Sequence, residues 1–436
     1  MLNHLTNLEE HAREALKPAL EGQLSPAERI SLYKRFLKTE EHRILLHHRS
    51  GAGGLEVARG RAALIDTIIR SILAASLKAR KEGELLPLSL VATGGYGRGT
   101  LNPGSDIDIL FLLPRASTKL PEPVRELVQD ILYLLWDVGF KVGHACRSIA
   151  ECLEQATADQ ENKTSLMDAR LITGDQALFE QFIGRFDKEC ISKGQSAFFE
   201  LRRTDIRDRH QKYSHTVFLQ EPNVKESCGG LRDFHNILWV ARVKRGSTDL
   251  AALVEDRIIT ANTRGEIEAA HDFLHRVRNE LHYHTKKSTD QLTLQLQGVV
   301  ATAFDYPQRD ILRRVEAFMR DYYRHTRHLY QHTTSLMETF QIEENSRAES
   351  GFRSFLTFRK KSREEFDGFI AREGMLFPST PEIFKEDPCR LMRLFQHCQL
   401  RGLQLSPQIR RLVAAHWEDL DRPFRYSKAN RQVFQG

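Results

Sequence analysis

Two apolar runs of strand length stand out in a chain otherwise patterned as helix. Ile107, Ile109, Leu110, Phe111, Leu112 and Leu113 form a nearly continuous run that reads as a buried strand, and residues 88–93 read as a second strand just upstream. Before them, Leu64, Ile65, Ile68, Ile69, Ile72, Leu73 and Leu77 keep helical spacing. After them, Val124, Leu127, Val128, Ile131, Leu132 and Leu135 make the stripe of a helix that packs on the sheet, and residues 140–147 read as a third strand. Residues 1–48 are helical and charged, and SGAGG at 50–54 reads as a flexible break. From about Gln176 the pattern is almost wholly helical, interrupted by EPNVKESCGGLRDFHN. There Gly229-Gly230 ends a loop and opens a helix over 231–242, with Arg232 and Asp233 in its first turn. Past Glu349, Pro378, Pro381, Pro388 and Pro407 divide the chain into short helices, and residues 421–436 read as a frayed end.

The chemistry concentrates between the first two strands, in GGYGRGTLNPGSDIDILFLL. Gly94-Gly95 breaks the first strand, and without Cβ atoms the pair can take φ > 0 and let a phosphate approach the backbone. Residues 96–100 fit a short helical turn whose free N–H groups favour a triphosphate, and Arg98 offers a bidentate phosphate contact. Alternation along the second strand projects Asp106 and Asp108 from one face while Ile107 and Ile109 enter the core. Two hard oxygen ligands on one strand suit Mg²⁺, which is held by one or two carboxylates plus substrate phosphates. The plainer reading makes Asp106 a turn cap and Asp108 a solvated residue. A lone Asp-x-Asp is common, and the glycine turn beside it is what raises its weight.

This segment resembles the catalytic motif of the polymerase-β-like nucleotidyltransferases, in the version found in bacterial protein-PII uridylyltransferases. Residues 221–242 (EPNVKESCGGLRDFHNILWVAR) are similar to that family's second signature, with weaker likeness at 138–147, 166–175 and 318–324. The resemblance implies an α+β fold: a small mixed-sheet nucleotidyltransferase domain followed by a mainly α-helical domain. It implies transfer of UMP from UTP to a tyrosine of a PII-type signalling protein, with Mg²⁺. It carries Asp106 and Asp108 over as metal ligands and Gly94, Gly95 and Ser105 as the nucleotide-facing turn. Family members continue into a metal-dependent HD hydrolase and two glutamine-sensing ACT domains. This chain stops at Gly436, about where the hydrolase would begin, so transfer insensitive to glutamine and no UMP removal are expected. The expected domains are an N-terminal helical segment (1–60), the nucleotidyltransferase domain (61–175), a helical domain facing the active site (176–345) and a helical connector (346–436).

A third carboxylate, which in related nucleotidyltransferases comes from a neighbouring strand and can act as general base, is missing from 140–147. Asp168 and Glu151 are the candidates, with pairing of Asp168 to Arg170 as the competing structural role. Lys225 and Arg232 could reach the triphosphate from the opposite wall as a helical lid, or the loop could be a hinge whose Arg232 and Asp233 pair with neighbouring helices. Family members more often read KEGPGG where this chain has KESCGG, leaving Cys228 without a chemical role.

Composition narrows the classes further. No apolar stretch approaches the roughly 18 residues that cross a bilayer, and the N-terminus lacks a signal-peptide core, so a cytoplasmic enzyme without membrane partners is expected. Six scattered cysteines form no C-x-x-C pair, which indicates neither a zinc site nor a disulfide framework. The net charge of +6 comes from 64 basic and 58 acidic residues that are interspersed, so no nucleic-acid partner is expected. His325, His328 and His332 share a helix face and His271-Asp272 spells a hydrolase dyad, but both lack companion ligands. Phe318, Tyr322 and Leu329 read as core. Two other functions stay open: transfer to a different protein or small-molecule acceptor, and a catalytically silent nucleotide-binding module.

Overall fold

The structure, a computed structural model, describes residues 2–22, 24–78, 80, 87–116, 118, 120–353, 364–372, 374–416, 424, 426, 427, 430 and 431; the expected frayed end at 421–436 lies largely outside them. The chain forms two compact units, 1–334 and 335–436. The first opens with α1 (Leu2–Ala15), α2 (Lys17–Glu21), α3 (Pro26–Arg49) and α4 (Gly54–Lys78), then β1 (Ser89–Ala92), the one-turn α5 (Gly94–Gly97) and β2 (Ile107–Leu113). It continues with α6 (Glu122–Val138), β3 (Val142–Ser148), α7 (Ile149–Ala158), α8 (Gln160–Met167), β4 (Arg170–Gly174), α9 (Gln176–Phe186) and a π-helical turn at Asp187–Ile191. Helices α10 (Gln195–Lys212), α11 (Leu231–Arg245), α12 (Leu250–Glu255), α13 (Ala261–Thr285), α14 (Leu294–Ala303) and α15 (Ile311–Arg353) follow, with α15 entering the second unit at Ser335.

The first sheet is mixed, in the order β3-β2-β1-β4: β1 runs antiparallel to β2 and β4, and β2 parallel to β3 through the α6 crossover. Both faces of β2 are covered, which explains its unbroken apolar run. Ile107, Ile109, Phe111 and Leu113 pack on α4 and α6, whereas Leu110 and Leu112 join Ile149, Leu153, Phe182 and Trp239 on the other side. The aspartates precede that second layer at the strand's open end. Capping boxes set two helix starts, Ser25 with Glu28 on α3 and Ser148 with Glu151 on α7.

The glycines at 50–54 are a close approach rather than a loose break. A Cβ on Gly54 would fall 2.0 Å from the Arg276 backbone nitrogen, so only glycine lets α4 start against α13. Beyond α15, the short helices expected past Glu349 are only part of the architecture. The second unit also contains β5 (Glu364–Phe366), β6 (Phe369–Arg372) and β7 (Met375–Pro378), then α16 (Ile383–Glu386), α17 (Arg390–Arg401), β8 (Gln404–Leu405) and α18 (Pro407–Ala415). These strands form a sheet in the order β5-β6-β7-β8. Asp367-Gly368, both at positive φ (50° and 77°), makes the β5–β6 hairpin turn, a two-residue Asp-Gly signal that outweighs the surrounding charge pattern.

Candidate active site

The end of β1 and the start of β2 are tied together by the Thr93 N–H, which donates to the Asp108 carbonyl at 3.1 Å. Gly94 follows at φ +56°, a conformation that favours glycine, and a Cβ there would meet Asp108 Oδ2 at 3.4 Å. Asp106 and Asp108 both open into a cleft of about 820 Å³ whose lining includes Gly94, Gly95, Ser105 and Ser165. Neither carboxylate has a hydrogen-bond or ion-pair partner among the described residues. Desolvation by the cleft walls, and then the Asp106 charge, raise the Asp108 carboxyl above its ordinary range, with Lys225 and Arg98 pulling the other way.

At the β3 position level with Asp108 there is no room for a third acid. The register sets Gly143 level with Asp108, and a Cβ on Gly143 would fall 2.5 Å from Asp108 Oδ1. Any side chain at this level would displace the carboxylate. Gly143→Ala is therefore expected to leave the melting temperature nearly unchanged while lowering nucleotide-dependent activity by about tenfold or more, since a misplacement near 1 Å costs on that order. Thermal unfolding beside a turnover assay checks it.

Facing the aspartates is a wall of cations. Lys225 comes from the loop before α11, Arg232 from α11, Arg202 and Arg209 from α10, and Arg278 from α13, with the neutral Trp239 of α11 among them. The loop is built by Asn223, whose side chain accepts from the Lys225 and Glu226 N–H groups at 3.0 and 2.8 Å. It is also anchored by the buried Asp233, which accepts from the Gly229 N–H at 2.7 Å and from His210 and Arg209 on α10. Asp233 thus takes the structural role, while Arg232 lines the cleft. Glu226 serves both Lys225 (3.7 Å) and Arg232 (3.1 Å), and Arg202 meets Asp205 only at 3.5 Å. Burial lowers the pKa of both Lys225 and Arg202, with nearby guanidinium charge adding to it. Each cation of this wall has an acidic partner, with Glu226 shared by two of them. Buried Nε atoms of Arg98, Arg202 and Arg209 lack partners.

Arg98 lines the cleft but is ion-paired with Asp168, whose carboxylate also accepts from Trp239 Nε1 at 3.2 Å. Asp168 is therefore a third carboxylate of the cleft whose oxygens are already engaged, and burial raises its pKa despite Arg98. Arg170 pairs instead with Asp66. Glu151, the other candidate, is the capping-box partner of Ser148, so its carboxylate is committed to the α7 terminus, away from the cleft.

Several cleft residues escape the sequence reading. Arg202, Asp205 and Arg209 lie at i, i+3 and i+7 on α10, a readable face within LRRTDIRDRH. Arg278 gave no local signal. It donates to Asn102 Oδ1 at 2.7 Å and to Asp290 at 2.6 Å, Asn102 donates to Asn279 at 2.7 Å, and the Gly104 N–H donates to His282 Nδ1 at 3.0 Å. Helix α13 thereby clamps the segment leading into Ser105 and Asp106.

His235 and His275 line the cleft, whereas His271, His325 and His332 are engaged in packing or ion pairing. His271 stacks on Phe234 with centroids 3.6 Å apart, and Asp272 accepts from the Leu55 N–H at 2.9 Å. His325 stacks on Phe273, His332 pairs with Glu266, and among the described residues no group of three ligating side chains could hold a metal. Burial, and then Arg98, lower His235; burial lowers His275; and burial pushes His271 down to about 3. Between pH 3 and 6.5 the unfolded chain binds protons these rings refuse, so stability is full above about pH 6.5 and falls as pH drops. His271 alone accounts for roughly 2 kcal/mol by pH 5. A melting temperature that is flat from pH 7 to 5 would contradict this.

The GlnD PII-uridylyltransferase family model matches residues 197–337, and the nucleotidyltransferase domain model matches residues 73–172. The chain is 34% identical over 330 residues to the bifunctional uridylyltransferase/uridylyl-removing enzyme of Rhodopseudomonas palustris, covering 75% of this chain and 35% of that protein. The chain carries a nucleotidyltransferase domain and a region matched by the PII-uridylyltransferase family. The Bradyrhizobium diazoefficiens relative of the same name shows the same identity and coverage, and that of Phenylobacterium zucineum is 36% identical over 365 residues, 82% of this chain and 38% of its own. The chain spans little more than a third of the length of these curated relatives. The nucleotidyltransferase match covers the aspartates and their glycine turn, and the PII-uridylyltransferase match covers the opposing cationic wall. No helix among the described residues is long and apolar enough to cross a membrane.

Proposed function

We propose that this chain is a uridylyltransferase that moves UMP from UTP to a tyrosine of a PII-type regulatory protein in the cytoplasm. The observation that carries the reading is the unpartnered Asp106–Asp108 pair beside the Gly94 turn, faced by the basic side chains of Lys225, Arg202 and Arg232. Two hard carboxylates with no basic partner and a raised Asp108 pKa form a donor set that fits a divalent cation, and Mg²⁺ is the expected one. When bound, such a cation supplies charge neutralisation at the attacking and leaving oxygens.

The chain's own groups do the rest. Lys225, Arg202 and Arg232 neutralise the triphosphate, and the Gly94–Gly95 turn and Ser105 seat it against the backbone. Arg98, oriented by Asp168 and Trp239, adds a phosphate contact, so Asp168 acts here as a positioning carboxylate. The acceptor hydroxyl attacks the α-phosphorus in line, the new oxygen–phosphorus bond forms as the bond to the β-phosphate bridging oxygen breaks, and pyrophosphate leaves while the hydroxyl proton passes to water.

The test is incubation with α-labelled UTP, Mg²⁺ and a purified PII protein, alongside the other three ribonucleoside triphosphates. Label on PII from UTP in preference to the others supports the reading. Tight nucleotide binding without transfer to any protein would replace it with a silent binding module.

A further inference from the structure

We propose that the outer edge of β3, with the aromatic strip Tyr133–Trp136–His144 beside it, is where the acceptor protein docks. The proposal rests on the transfer reading above and names the surface that delivers the second substrate.

A second cleft of about 480 Å³ lies next to the first and shares Asp108, Glu161 and Ser165 with it. Its own walls include Gly143, His144 and Arg147 of β3. In-line displacement needs the attacking hydroxyl to arrive from a side the triphosphate does not occupy, at the same metal-binding carboxylate. Two clefts meeting at Asp108 meet that need, one for the nucleotide and one for the hydroxyl.

The wall of this second cleft is an edge strand. β3 pairs with β2 alone, no other strand joins it among the described residues, and Gly143 and His144 at its open end are exposed. Such an edge offers unpaired N–H and C=O groups that an extended segment of another protein can use. Glycine at 143, required by Asp108, also keeps that edge free of bulk.

Beside the edge, α6 breaks its own pattern. Its stripe from Val124 to Val138 is buried, yet Tyr133 and Trp136, three apart on the opposite face, are 59% and 43% exposed. Tyr133 meets Trp136 edge-on at 5.8 Å, and Trp136 meets His144 edge-on at 5.9 Å. His144 and Trp136 lie on the α6 face of the sheet and Gly143 and Asp108 on the other, so a strand laid along the β3 edge would set alternate side chains against the aromatic strip and against the shared carboxylate. Exposed Trp and Tyr side by side are the residues most enriched among energetic anchors of protein interfaces. A small acceptor confined to the cleft would leave both rings unused, so the occupant is an extended, hydroxyl-bearing segment of a folded protein.

The experiment is steady-state transfer from labelled UTP to purified PII protein by the wild type, Trp136→Ala, Tyr133→Ala and Trp136→Phe. Trp136→Ala and Tyr133→Ala are expected to raise KM for the acceptor protein about tenfold, the scale of one interface anchor, with kcat and KM for UTP within twofold. Trp136→Phe is expected to recover most of the loss. Unchanged acceptor KM in active Trp136→Ala overturns the docking proposal alone. A shift in the oligomeric state of the chain on Trp136→Ala, without a change in acceptor KM, assigns the strip to self-association and also overturns it. Absence of transfer by the wild type overturns the functional reading and the docking proposal with it.

Discussion

Asp108→Asn is expected to cut uridylyl transfer by at least about 10²–10³-fold, the scale for removing one preorganised electrostatic group, while leaving the fold as stable as before or slightly more stable. The two halves have one cause. Asp108 has no side-chain partner, and desolvation by the cleft walls and the neighbouring Asp106 charge raise its pKa. A carboxylate with a raised folded-state pKa opposes folding at neutral pH, because the unfolded chain accommodates the charge better. The amide keeps the shape and removes the repulsion. A merely structural aspartate behaves oppositely, since losing its partners destabilises the protein. Transfer rates measured beside thermal unfolding separate the cases, and Asp108→Asn retaining activity within tenfold, or melting several degrees lower, would contradict the assignment.

Asp233→Ala has the largest expected cost in stability, about 3–5 kcal/mol, as for removal of one partner from a buried ion pair. Its carboxylate is fully buried, accepts from His210 at 3.0 Å and from the Gly229 N–H at 2.7 Å, and is ion-paired with Arg209. Burial alone would raise its pKa, but the His210 hydrogen bond and the Arg209 charge outweigh it and hold the group below the usual carboxylate range. Its contribution is therefore present above the unfolded pKa of about 3.9 and lost as pH falls. Alanine would leave Arg209 and His210 facing each other without a counter-charge and release the loop that presents Lys225. Transfer should fall together with stability, and Asp233→Asn should lie between the two. Urea unfolding showing a loss below 1 kcal/mol would contradict this.

How far the site could be read from the chain follows the range of the interactions. The strand, glycine turn and second strand around Asp106 and Asp108 are local, so alternation and glycine placement were enough to expect two acids together at the end of an apolar run. The cationic wall was half legible. Lys225 and Arg232 belong to a short motif and Arg202 to a helix face on α10, whereas Arg278 reaches the cleft only through packing of α13, which no local pattern encodes. Gly143 was read only as a missing acid, because its meaning depends on the β2–β3 register. Gly54 was read as a break because a glycine at a helix–helix contact and one in a loose linker look alike in sequence. The Asp367-Gly368 hairpin carries a two-residue turn signal that the surrounding charged residues mask.

The most direct measurement of the central claim is a titration of Mn²⁺, followed by its electron paramagnetic resonance signal, into the chain with a non-hydrolysable UTP analogue. The wild type should bind Mn²⁺ with an affinity that rises when the analogue is present, and Asp106→Asn and Asp108→Asn should each lose that binding while remaining folded. Equal nucleotide-dependent Mn²⁺ binding by the wild type and both variants would mean that these carboxylates do not hold the metal, and the account would fail.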